Sequence, residues 1–394
     1  MSAPFEDLVV LELASVLAGP SVGQFFAELG ATVLKIENPR TRGDVTRGWK
    51  LPAEGDGDRS AYFAAANWGK RSLAVDLGTP EGRGVLHDLA AHADVVVASY
   101  KPGDAERLGA DADTLRALNP RLIYAHVVGY ATDDRAGYDA VIQAESGFTF
   151  MNGAPDGPPV KMPVALVDVL AAHQLKEAIL VRLWQRKRTG RGGTVRVSLL
   201  QTGLASLANQ ATNWLTAGHA PQRIGSEHPN IAPYGTVFPT ADGDAVVLAV
   251  GTDRQFAALC DVLGLGEIAA APRFATNQQR VRHRAFLNHL LGGCIAERRR
   301  DDLLAALAAR HVPAGAVNDL PAAFAHPDAA ALVVEDEDGG LAGVRHVAFR
   351  TDDAEPAPLD PPPPFAADTR AVLAERLGYS DADLDRLTRA GAIE

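Results

Sequence analysis

Apolar residues in the first third of the chain fall in short unbroken runs separated by stretches of helical spacing, the pattern of buried strands joined by helices. Leu8 to Leu13 reads as a strand, Ala18-Gly19-Pro20 as a turn, Ser21 to Leu29 as a helix and Thr32 to Glu37 as a second strand, together a βαβ unit. Further strand-like runs cover Leu73 to Leu77, Asp94 to Val97 and Leu122 to Val128. Val169 to Lys187 holds no Gly or Pro, and Leu170, Gln174, Glu177 and Val181 recur about one turn apart, so a long helix is expected to begin at Asp168. Arg186, Lys187 and Arg188 in its last turn and Gly190 after it end that helix. Leu199 to Gly218 reads as a second long helix.

The punctuation changes at Arg223 to Asn230, where a linker or boundary is expected. Strands around Thr236–Phe238 and Ala245–Val250 then flank the turn Ala241 to Asp244, helices start at Asp253 and Asn277, and a small α+β domain closes near Leu320. A proline run at Pro361 to Pro364 precedes helical pieces at Asp368–Leu377 and near Asp381.

Composition narrows the class. With 394 residues, 47% apolar and 22% charged, the chain has the make-up of a folded globular protein large enough for two domains. A formal net charge of -11 supplies no basic footprint for nucleic acid or an anionic membrane. Two cysteines, Cys260 and Cys294, suit neither a disulfide framework nor a zinc site, and a reducing, cytoplasmic setting follows. His87 with His92, and His283 with His289, have the wrong spacing for one helical face, so no metal site is expected.

The organising stretch is Pro163 to Gln174, where one carboxylate, Asp168, interrupts an apolar run at the expected helix start. An Asp there reads as an N-cap, kept ionised by backbone N–H groups and the helix dipole; that favours a nucleophile, though most such residues only cap. Glu37 stands at about the distance of a ribose-binding acid, yet Gly19 and Gly23 lack the full dinucleotide spacing. Ser99, Tyr100 and Arg107 follow a strand end, where ligand contacts gather in open α/β sheets; Lys101 and Arg107 fit equally well as solvated charges. Tyr138 suits either covering a bound group or core packing. There is no Gly-x-Ser-x-Gly elbow and no His-Glu-x-x-His.

Taken together, Ala18-Gly19-Pro20, Gly30 to Glu37, Asn67 to Ser72, Asn119 to Ile123, Tyr138-Asp139, Asp168, Thr189 to Gly192, His228-Pro229-Asn230 and Val312 to Gly315 resemble, in order and spacing, the family III CoA-transferases. The resemblance implies an α/β fold: a Rossmann-like large domain formed by both chain ends, a smaller α+β domain, and an interlocked homodimer. Mapped onto this chain, residues 1–200 begin the large domain, 201–224 form a linker helix, 225–325 the small domain, and 326–394 a return linker and the rest of the large domain. Asp168 matches the nucleophile. Contacts to coenzyme A, a substrate as its acyl thioester, carry over to Val16, Ala18, Asn38, Val75, Ser99, Tyr100, Arg107 and Tyr138. No metal or redox cofactor is implied; the other partner is a small carboxylic acid.

Leu17 replaces the glutamine and Asn38 the arginine of formyl-CoA transferase, and the glycine-rich lid segment is missing, which turns the expectation from formate and oxalate towards succinate-type acids. A related racemase carries a His-Asp pair where this chain has Tyr138-Asp139, and a phenol cannot readily replace that base at neutral pH. A nucleotide-binding oxidoreductase built on the first βαβ unit, and a catalytically silent binding protein, are the alternatives from other classes.

Overall fold

The computed structural model describes residues 3–101, 103–337, 340–352 and 357–394; Pro102, in the sequence segment that follows the fourth strand-like run, lies outside them. Contacts divide the chain into two compact units, one of residues 1–146, 163–211 and 330–394, the other of residues 147–162 and 212–329.

The first unit is built on a six-stranded sheet: β1 (Val9–Leu13), β2 (Thr32–Glu37), β3 (Lys70–Ala74), β4 (Val95–Ala98), β5 (Ile123–Val128) and β6 (Gly193–Ser198), in the order β3-β2-β1-β4-β5-β6. Every pairing is parallel. This is the doubly wound, Rossmann-like order, with the winding reversed between β1 and β4. Alternate residues of β1 feed opposite faces, Val10 into one apolar core and Leu11 and Leu13 into the other. Both faces are therefore covered, which is why the inner strands read as unbroken apolar runs. Both chain ends contribute: Val372, Leu373, Leu384 and Leu387 complete one core, and Asp76 donates its N–H to the Ala392 carbonyl at 2.9 Å.

Three local expectations change. Ala18-Gly19-Pro20 is the first turn of helix Ala18–Glu28, because proline at the third helical position gives up an N–H that has no intrahelical partner anyway. The single helix expected over 199–218 is two, Leu199–Ala205 and Ala208–Ala217, with Ala208 at a positive φ of 48°. β6 has no counterpart in the sequence reading: it is an edge strand with Thr194 and Arg196 exposed, so it shows no apolar run.

The second unit has an antiparallel sheet of β7 (Tyr234–Pro239), β8 (Ala245–Ala249) and β9 (Ala314–Ala316), packed by helices Asp253–Leu263, Arg284–Ile295 and Arg300–Ala309. Fully buried Arg280 ties it together, donating to the carbonyls of Ala232 and Phe274 at 3.0 Å each and to Asp253 at 2.7 Å. No helix among the described residues is long and apolar enough to cross a membrane.

Candidate active site

In a doubly wound sheet the ligand crevice lies beyond the strand C-termini where the winding reverses. The loops leaving β1 and β4 meet there, and a cavity of about 180 Å³ is lined by Ser15 to Gly19, Ser99 to Lys101, the segment after β5, Leu199 and Asp168.

The β1 loop is strained. Val16 has φ +73°, a region that costs a β-branched residue about 1–3 kcal/mol. Its N–H donates to Asp44 Oδ1 at 3.3 Å. Behind it runs a buried ionic chain: Lys35 Nζ lies 2.9 Å from both Glu12 Oε1 and Asp44 Oδ2, and Lys70 Nζ 2.7 Å from Glu12 Oε2. Burial favours the neutral amine of Lys35, but the Glu12, Asp44 and Glu37 charges outweigh it and hold the pKa above the ordinary lysine value. For Lys70 burial wins, helped by the Lys35 charge, and the pKa falls to about 8. Glu37 is not open to a ribose: Arg47 grips both its oxygens at 2.9 and 2.7 Å and Ser72 Oγ donates at 2.6 Å. The dinucleotide reading loses its acid here.

Asp168 is the third residue of helix Leu166–Thr189, whose N-cap is Ala165 with no side-chain cap. The helix starts as soon as Pro163 is passed, and its cap comes from elsewhere in the chain. Asp139 Oδ1 accepts the Val167 N–H at 2.9 Å, while its Oδ2 accepts from Gln143 Nε2 at 2.7 Å. The expectation of an N-cap Asp168 is thus corrected, and so is that of a fully ionised one. Burial first, and then the Asp139 charge, pushes the Asp168 pKa up to about 7, so both protonation states coexist near neutrality. Tyr62 shares this environment, its phenol raised by burial and then by the Asp168, Asp139 and Asp44 charges.

The wall opposite is pinched at two glycines. A Cβ on Gly129 would lie 2.5 Å from the Gly137 nitrogen, and one on Gly137 2.4 Å from Gly129 Cα, so the backbones touch and close the loop between them. Arg135 packs over the Tyr130 ring at 4.2 Å and pairs with Asp133 at 2.5 Å and Glu145 at 3.1 Å, leaving Asp133 and Arg135 on the cavity wall.

Six of the expected site residues therefore come together: Val16, Ala18, Ser99, Tyr100, Tyr138 and Asp168. Three are not brought to the cavity. Asn38 caps the short turn Pro39–Thr41 through Arg40 N–H, Val75 is buried in the core, and Arg107 pairs with Asp104 at 2.9 Å. Sequence reasoning missed Tyr62, which carries no local signal, and Arg135, whose place on the wall depends on the glycine pinch; the Gly129-Tyr130 and Gly137-Tyr138 pairs were the available hint.

Residues 5–369 match the profile of CoA-transferase family III. The chain belongs to that family. It is 42% identical over 355 residues to a succinate–glutarate CoA-transferase of Agrobacterium fabrum, covering 87% of this chain and 88% of that one. The human succinyl-CoA:glutarate CoA-transferase is 33% identical over 99% of this chain and 90% of its own. Among solved structures, a CAIB/BAIF family protein from Brucella suis superposes with a TM-score of 0.84 at 40% identity, covering 95% of this chain and all of that one. The protein is accordingly a CoA-transferase, with acyl-CoA and carboxylate substrates.

Proposed function

We propose that this CoA-transferase moves CoA from succinyl-CoA, or a related dicarboxylic acyl-CoA, to a small organic acid, with Asp168 as the nucleophile. The observation that carries the reading is a buried carboxylate, raised to about 7, in one cavity with the first turn of helix Ala18–Glu28. A carboxylate of raised pKa is a stronger nucleophile when ionised, and the first-turn amides of Ala18 and Gly19, which have no intrahelical partner, suit a developing oxyanion.

The ionised Asp168 attacks the thioester carbonyl and CoA leaves as thiolate, giving an aspartyl mixed anhydride. The thiolate attacks the aspartyl carbonyl, releasing the donor carboxylate and forming an aspartyl-CoA thioester. The acceptor carboxylate attacks that thioester, and the thiolate so released takes the acceptor acyl group, regenerating Asp168. Each step exchanges one activated carboxyl for another, so no nucleotide is consumed.

The names of the relatives favour succinate and glutarate as the acid pair. Asn38, Val75 and Arg107 stay in this proposal as coenzyme A contacts expected from the sequence, together with the domain boundaries at 200, 224 and 325, an interlocked homodimer and a cytoplasmic setting. The test is incubation with succinyl-CoA and then hydroxylamine: a hydroxamate on Asp168, located by mass spectrometry, is the expected product. Transfer to glutarate should follow in a paired assay. Full transfer by Asp168→Ala would end this reading.

A further inference from the structure

The ionic chain behind the β1 loop does more than join strands. Three of its hydrogen bonds go to the backbone within the loop or on either side of it: Lys35 Nζ donates to the Ala14 carbonyl at 3.0 Å, Asp44 Oδ1 accepts the Val16 N–H at 3.3 Å, and Lys70 Nζ donates to the Pro20 carbonyl at 2.9 Å. The loop is gripped before, at and after its strained residue. Thr46 fixes Asp44 in turn, through its N–H at 3.0 Å and its hydroxyl at 2.8 Å, and Asn67 Oδ1 takes a further Lys70 hydrogen at 2.9 Å. We propose that Glu12, Lys35, Asp44 and Lys70 are positioning residues that hold the Ser15–Gly19 loop in the one backbone conformation competent for acyl and CoA transfer.

Strand joining alone does not account for this arrangement. Apolar side chains of similar size would join β1, β2 and β3 without four charges that are each at least 95% buried, since such charges gain little net stability even when paired. In some proteins buried ionic groups serve to fix a conformation that packing leaves open, and a β-branched residue at positive φ, as Val16 is, needs such a hold. The loop's register decides where the first-turn amides of helix Ala18–Glu28 sit on the wall they share with Asp168. A loop that relaxed to negative φ at Val16 would turn them away.

This inference rests on the transferase reading for its kinetic arm, and a second arm is independent of it. In the kinetic arm, Asp44→Ala should lower kcat for CoA transfer at least tenfold with KM for the acid within about twofold. The double variant Asp44→Ala/Val16→Gly should recover most of that loss, because glycine occupies positive φ without penalty. Arg186→Met, which breaks the partly buried Arg186–Asp94 pair far along the Asp168 helix, should lower the melting temperature and leave kcat unchanged. In the independent arm, hydrogen exchange of the peptide spanning residues 14–20 should quicken at least tenfold in Asp44→Ala and stay unaltered in Arg186→Met. If the wild type transfers no CoA from any donor, the transferase reading fails and the exchange arm alone decides this one. Should Asp44→Ala not fold, Asp44→Asn carries both arms, with a threefold loss expected. Unaltered exchange of residues 14–20, or a kcat loss that Val16→Gly does not recover, overturns the proposal.

Discussion

Asp168 faces two demands that oppose each other. Its folded-state pKa of about 7 lies above the ordinary value near 3.8, so the folded chain binds more protons than the unfolded chain between about pH 4 and pH 7. Stability must fall as pH rises through that window, and above it the ionised carboxylate costs about 4 kcal/mol. Asp168→Asn should therefore lose transfer by about a thousandfold or more while gaining stability, and the gain in urea melts should grow from pH 4 to pH 7 and then level off. A stability gain equal at pH 4 and pH 8 would mean that the carboxylate is not held out of water. The rate of transfer should rise with pH through a midpoint near 7. Asp139→Asn keeps an oxygen for the Val167 N–H but removes the neighbouring charge, so this midpoint should move down; an unmoved midpoint would leave burial as the sole cause of the raised value.

Helix Ala18–Glu28 reaches its seat over the sheet by way of Gly23. A Cβ there would stand 1.9 Å from Glu12 Oε2 and 3.1 Å from Lys70 Cε. Neither group can swing aside, because each is locked in the buried ionic chain. Gly23→Ala, although it raises helix propensity, should thus lower stability by about 1–3 kcal/mol through overpacking, measured as a shift in the denaturation midpoint. A stabilised Gly23→Ala variant would show that the helix can lift off β1. The start of the Asp168 helix is governed in the same non-local way. Its cap accepts from Val167 and is a side chain 28 positions upstream of that residue, so a sequence window around residue 168 contains the helix and omits the group that caps its start.

The outer face of the Asp168 helix leaves Leu180, Val181 and Trp184 exposed within little more than one turn. Such a cluster on a water-facing helix is the usual mark of a covered surface, and it accords with the homodimer proposed from the family resemblance. Trp184→Asp should lower the melting temperature of the dimer without separating its interlocked chains; a wild type that sediments as a monomer at micromolar concentration would remove that proposal. What could be read without coordinates was whatever short-range pattern carries. The inner strands announce themselves because both of their faces are apolar, the long helix because Gly and Pro are absent from it, and Asp168 because it is the one charge in an apolar run. β6, the break after Ala205, the Asp139 cap and the charge state of Asp168 were settled only in three dimensions, since each depends on what a distant part of the chain brings alongside. Hydrophobic periodicity fixes which residues turn inward, but desolvation and coulombic coupling belong to neighbours in space, and those neighbours exist only once the sheet has formed.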